Sequence, residues 1–187
     1  MSKSRERGQG VQFEQSIIQI KHLQFLNHEE QYDSQGNTRL PVTNFYIDFT
    51  PKESTSKNII ICTLSVGYYS TPAWSWYIDY DISSTVGSFT SSGVQTQLGV
   101  LAQNGNRMNG YHGGNGINTA DYCGSYTNTV MHDHNTNTTY PIRYQVCTQD
   151  RHNQAGDKVF INRSANDDND GDITRGSSSM LIMEMRT

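Results

Sequence analysis

Residues 158–185 read KVFINRSANDDNDGDITRGSSSMLIMEM, and the rest of the chain is organised around them. Two apolar runs flank a loop that holds four aspartates. Val159, Phe160 and Ile161 make the first run; Met180, Leu181, Ile182, Met183 and Met185 make the second. A run that is apolar at odd and even positions alike, bounded by Gly and Ser, reads as a strand buried on both faces. Such a strand needs cover on both sides, from a second sheet, from other subunits, or from both. Glu184 is the single charge within the second run, on the face of Met180 and Ile182. A charge there needs a partner. Either Arg163, which ends the first run, or Arg175, which precedes the second, is the expected one, in an ion pair that fixes register or a subunit contact.

The loop between the runs has two readings. One is a solvated hairpin tip whose negative charge discourages edge pairing. The other is a calcium loop, with Asn166, Asp168 and Asp170 at positions one, three and five and Gly171 at six. Position twelve requires a carboxylate, and Ser177 stands there, with no flanking helices.

Working outward, strand patterns dominate. Residues 58–69 (NIIICTLSVGYY) place Ile60, Cys62, Leu64, Val66 and Tyr68 on one face. Residues 74–82 (WSWYIDYDI) place Trp74, Trp76, Ile78 and Tyr80 on one face and Asp79 and Asp81 on the other. The short YSTPA link predicts that these two strands form an antiparallel pair. Phe45, Ile47 and Phe49 alternate with polar neighbours, as do Tyr140, Ile142, Tyr144 and Val146. Pro141 is compatible with that last strand if it lies at an edge there. Residues 16–26 fit a helix or a strand, and the β-rich context selects the strand. Residues 94–102 and 122–131 suit further strands, and residues 32–38 a turn. About eight to ten strands, with no helix and no internal repeat, point to one β-sandwich domain over residues 16–187. Residues 1–15, polar and partly basic, read as an extended arm that docks on a partner.

Composition narrows the function. Hydrophobic residues are 34% and charged residues 17%, with Gly, Ser, Thr, Asn, Gln and Tyr filling the balance, which suits strands and polar loops. A net charge of −4 argues against a nucleic-acid partner. No apolar run is long enough for membrane insertion, and no apolar core follows the basic N-terminus as in a signal peptide. Cys62, Cys123 and Cys147 match no metal or disulfide pattern, which fits synthesis in a reducing cytoplasm.

Several residue groups invite chemistry. His132 and His134 flank Asp133, and on a strand they would share a face and could bind a metal; beside NTNTT they also read as a surface loop. Trp74 and Trp76 among tyrosines are either core or an outward, sugar-stacking platform. The loop around Tyr111 and His112 (GYHGGNG) lacks the Lys-Ser/Thr of a phosphate loop and is a second glycan-contact candidate. No nucleophile elbow and no carboxylate pair suited to acid–base work stands out, so neither catalytic residues nor a cofactor are expected. Asn137 and Asn162 lie in sequons that matter only for a secreted chain.

A resemblance joins these pieces. Thr50-Pro51, residues 54–58 (STSKN), IIICTLSVGY, NTNTTYPIRYQV, KVFINRSANDDND and RGSSSMLIMEM resemble a group of small virion proteins of marine and cyanobacterial phages, over roughly residues 45–185. Residues 83–120 carry no part of it. The resemblance implies an antiparallel jelly-roll β-sandwich similar to tumour-necrosis-factor-like domains, a homotrimer with terminal strands near the axis. It implies a non-enzymatic protein of the virion surface, made in the host cytoplasm. The expected role is capsid decoration, with a tail-fibre or spike tip that binds a host receptor or glycan as the alternative. No fibrous shaft precedes the domain, which favours decoration, with the arm contacting major capsid or tail proteins.

Overall fold

A computed structural model describes residues 17–31, 39–69, 74–83, 96–99, 112–114, 123–134, 139–150, 158–166 and 175–187. Expectations for the arm, the turn at 32–38, Tyr111 and the acidic residues Asp168 and Asp170 lie outside these residues.

The described chain is all β, in two packed antiparallel sheets. Its strands are β1 (Ile17–Phe25), β2 (Glu29–Gln31), β3 (Arg39–Phe49), β4 (Lys57–Tyr69), β5 (Trp74–Ile82), β6 (Thr96–Gln97), β7 (His112–Gly114), β8 (Cys123–His132), β9 (Ile142–Asp150), β10 (Lys158–Ile161) and β11 (Ser178–Met185). One sheet runs β1-β11-β4-β10-β2, with β8 on the other side of β4; the other runs β3-β9-β5-β6, with β7 also on β5. Residues 17–25 are a strand because Gln19, Lys21 and Leu23 lie in register with the inner-face residues of β11.

Alternation made the core. Ile60, Cys62, Leu64, Val66, Met180 and Ile182 face inward from the first sheet, each fully buried. Phe45, Ile47, Phe49, Trp74, Trp76, Ile78, Ile142, Tyr144 and Val146 meet them from the second. Phe25 stacks on Phe45 at 4.8 Å, and Tyr126 meets Trp74 edge-on at 5.4 Å.

Three expectations about topology are corrected. β4 and β5 do not pair; they lie in different sheets. Both present a largely apolar face, so each gains more by facing the other across the core than by lying beside it. Pro141 precedes a central strand, and its carbonyl accepts the Ser83 amide at 3.1 Å. The proline inside a strand is Pro41, on edge strand β3, where the register shifts and Asn44 takes a positive φ of 60°.

The third correction concerns the opening stretch. β10 and β11 do not form a hairpin with each other. Both run antiparallel to β4 along the same side, β10 against residues 66–69 and β11 against residues 57–63. They are one strand line interrupted by an excursion, whose neck is the Arg163–Arg175 bridge. Asn162 makes the interruption. It is fully buried at φ 60°, a conformation asparagine tolerates better than most residues. Its side-chain amide donates to the carbonyls of Phe25 (2.8 Å) and Asn27 (3.0 Å), and its Oδ1 accepts the Ser178 hydroxyl at 2.6 Å. Ser178 Oγ in turn accepts the Ser65 amide at 2.9 Å. The neck presses so closely on β4 that a Cβ on Gly67 would overlap the Arg163 backbone, and one on Gly176 the Ser65 hydroxyl.

Candidate functional site: the outer face of the six-stranded sheet and the polar row behind it

β11 is covered on one face only. Ser178, Met180, Ile182 and Glu184 are fully buried, while Ser179, Leu181, Met183 and Met185 are half-buried on the outer face. Residues directly opposite in a sheet share a face, so the register assembles rows there. Ile20, Met183, Ile59 and Met131 form a row across β1, β11, β4 and β8. His22, Leu181, Ile61 and Thr129 form the next, then Gln24, Ser179, Thr63 and Thr127. Apolar chemistry thus gives way to polar along the strands. Ile20 and Met131, at the ends of the apolar row, are 58% and 60% exposed. Lys57 and Asp133 pair at 3.1 Å at its margin.

Directly behind the apolar row runs a polar one. Gln19, Glu184, Asn58 and His132 are opposite one another on the inner face of the same four strands. Each is the sequence neighbour of an outer-row residue. Glu184 Oε1 accepts the Lys52 and Glu53 amides at 2.9 and 3.0 Å and the Ser56 hydroxyl at 2.5 Å. Its Oε2 accepts Gln19 Nε2 at 2.6 Å. Burial raises the Glu184 carboxyl, but these donors outweigh it and hold the group below the ordinary carboxylate range. The residues just beyond, Arg186 and Thr187, tie to Glu53 and the Thr55 carbonyl, so the chain end fastens the turn at 50–56.

The partner expected for Glu184 is therefore corrected: neither Arg163 nor Arg175 reaches it among the described contacts. Arg163 pairs with Glu30 at 3.2 Å and lies over the Phe160 ring at 4.5 Å. Amides close to the carboxylate satisfy it with well-directed donors and spare the burial of a second charge.

His132 and His134 are 5% and 4% exposed, so the surface-loop reading is corrected. His132 Nδ1 is 2.8 Å from the Tyr144 hydroxyl, which also accepts Asn58 Nδ2 at 2.8 Å. Its ring lies 4.2 Å from that of Tyr80. His134 Nε2 is 3.4 Å from Ser56 Oγ. The two imidazoles are 6.2 Å apart, and among the described residues no set of three ligating side chains surrounds them.

The glycan platform is corrected as well. Trp74 and Trp76 have no exposed surface, so neither indole can stack on a sugar in solution. His112 lies opposite Trp76 in β7. Asn166 is exposed beyond the neck. The buried Asn162 amide spends its hydrogens on two carbonyls, which leaves that sequon inaccessible.

The outer face of the five-stranded sheet differs in kind. Arg143 holds Asp48 through two hydrogen bonds of 2.7 and 2.8 Å and lies 3.9 Å over the Tyr46 ring. Arg39 holds both oxygens of the buried Asp79 at 2.9 Å. Tyr77 donates to Gln149 at 2.6 Å.

No family model matches the chain, and no curated protein matches it in sequence.

Proposed function

We propose that this chain is a structural, non-catalytic protein of a phage virion surface, a jelly-roll subunit that assembles with copies of itself into a trimer. The carrying observation is the outer row Ile20, Met183, Ile59 and Met131, an apolar face across β1, β11, β4 and β8 with a polar margin. An exposed apolar patch rimmed by polar groups is the anatomy of a protein contact. The strand order supports the jelly-roll reading. From β3 onward the long strands alternate between sheets, β3, β5 and β9 in one and β4, β8 and the β10–β11 line in the other, while the short β6 and β7 stay beside β5. The polar side chains of greatest chemical reach, Glu184 and the two histidines, are buried and engaged in holding strands together. Decoration of the capsid is the preferred location, with the basic arm at 1–15 as the anchor.

Multi-angle light scattering on the purified chain is the test. Three chain masses per particle are expected, and a single chain mass at micromolar concentration would remove the reading. Deleting residues 1–12 should leave the trimer intact and abolish its capture by virions.

A further inference from the structure

The inner polar row does more than satisfy Glu184. The hydrogen bonds suit the neutral form of both buried histidines. Asn58 Nδ2 can only donate, so the Tyr144 hydroxyl accepts from it and keeps its own proton for His132 Nδ1. Ser56 spends its one proton on the oxygens of Glu184 and Glu53 and so accepts from His134 Nε2. In both imidazoles the open position for a further proton is Nδ1. At His132 a proton there turns an acceptor into a donor and strands the Tyr144 hydroxyl proton. At His134, Nδ1 is buried with no hydrogen-bond partner among the described residues. A proton there makes an unsatisfied, buried cation.

The groups facing the pair come from every neighbouring element. Glu184 approaches from β11, Tyr144 from β9, Tyr80 from β5, Asn58 from β4 and Ser56 from the turn at 50–56. Asp133 lies between the two histidines, exposed and paired with Lys57. The carboxylates favour a charged imidazole and burial opposes it. Burial prevails: it pushes His132 down to about 4, with His134 adding to the effect and Asp133 opposing. Burial also lowers His134, against the pull of Glu184 and Asp133.

We propose that the row Gln19, Glu184, Asn58 and His132, with Ser56, His134 and Tyr144, is an acid-operated clasp on the assembly face. At neutral pH it holds β1, β11, β4 and β8 in the register that aligns Ile20, Met183, Ile59 and Met131. Protonation of the two histidines breaks the row from behind and releases the copies. The inference rests on the outer row being the contact between copies.

The test follows the full-length protein from pH 8 to pH 4 by light scattering and by the emission of its tryptophans, which are both buried. A joint loss of trimer mass and red shift of emission between pH 6.5 and pH 4 is expected. The double variant His132→Gln/His134→Gln keeps neutral polar side chains at both positions. It should move the transition down by about one pH unit or more. An unchanged midpoint in the variant, or no transition in the wild-type protein, overturns the clasp. If the variant does not fold at pH 8, the imidazole C2–H resonances of the wild-type protein decide. Two histidines that titrate only with the transition support the clasp, and six that all titrate independently of it overturn it. A protein that is monomeric at pH 8 but keeps the histidine-dependent emission change loses the assembly reading and retains the clasp.

Discussion

The two outer faces share a pleat and differ in what their side chains do. On the five-stranded sheet the cations and carboxylates are matched within the subunit, Arg143 with Asp48 and Arg39 with Asp79. Those four charges are satisfied without a second copy. On the six-stranded sheet the corresponding positions carry Ile20, Met183, Ile59 and Met131, whose exposed area no group of the same fold covers among the described residues. The difference teaches where a second copy adds stability: burial of apolar area is favourable without directional partners, whereas ion pairs already made have little to gain. The buried carboxylates repeat the lesson. Burial raises Asp79 above the ordinary carboxylate range despite the Arg39 guanidinium. Glu184, with four donors and no guanidinium, is held below it.

The comparison can be broken at several points. The largest effect is expected behind the apolar face. Glu184→Ala leaves the Lys52 and Glu53 amides without their acceptor, leaves Ser56 and Gln19 only the Glu53 and Thr50 carbonyls, and should cost about 4 kcal/mol in urea-melt stability. A loss under about 1 kcal/mol would show that the inner row does not hold the face.

Acid comes next. His132 has a folded value, about 4, below its unfolded value of 6.5. Its contribution is therefore complete above pH 6.5 and is lost as pH falls from 6.5 towards 4. The interval corresponds to about 3 kcal/mol. Glu184, also depressed, loses its contribution in the same direction at still lower pH. Thermal melts in steps from pH 8 to pH 4 measure the histidine contribution, and a flat Tm profile would contradict it.

Met183→Asp introduces a charge at the centre of the apolar row with little change inside the core. It should weaken association by about 2 kcal/mol, roughly thirtyfold, and leave the folded monomer intact. Dissociation constants from sedimentation equilibrium read this directly. The smallest effect is expected opposite. Arg143→Ala removes a half-exposed pair and should cost about 1 kcal/mol or less, with no change in particle mass. Loss of the trimer in Arg143→Ala with retention in Met183→Asp would reverse the assignment of the two faces.

Legibility followed the range of the interactions. The inner faces of β3, β4, β9 and β11 could be read because a strand places alternate residues on one side whatever its partner is. Glu184 was identifiable as a charge in need of a partner, but its donors belong to residues 19, 52, 53 and 56, between 128 and 165 positions away. Proximity in sequence suggested the arginines, and proximity in space overruled it. The burial of His132 and His134 had little local signal, since Asp133 separates them and an Asn/Thr run follows them. It follows from β8 lying in register with β4, which turns His132 towards Tyr144. Asn162 had a weak signal: a polar residue that ends an apolar run just before the excursion.

The residues 158–185 alone determined that two apolar segments would be strands, and that Glu184 would be an exception within them. Pattern and period suffice for that, because they depend on each residue and its immediate neighbours. Tertiary structure decided that the two segments form one interrupted line along β4 rather than a hairpin. It also decided that Met180 and Ile182 fill the core while Leu181, Met183 and Met185 look outward. The physical reason is that two faces of equal apolarity are interchangeable in the strand itself, and only the second sheet, by covering one of them, makes them different.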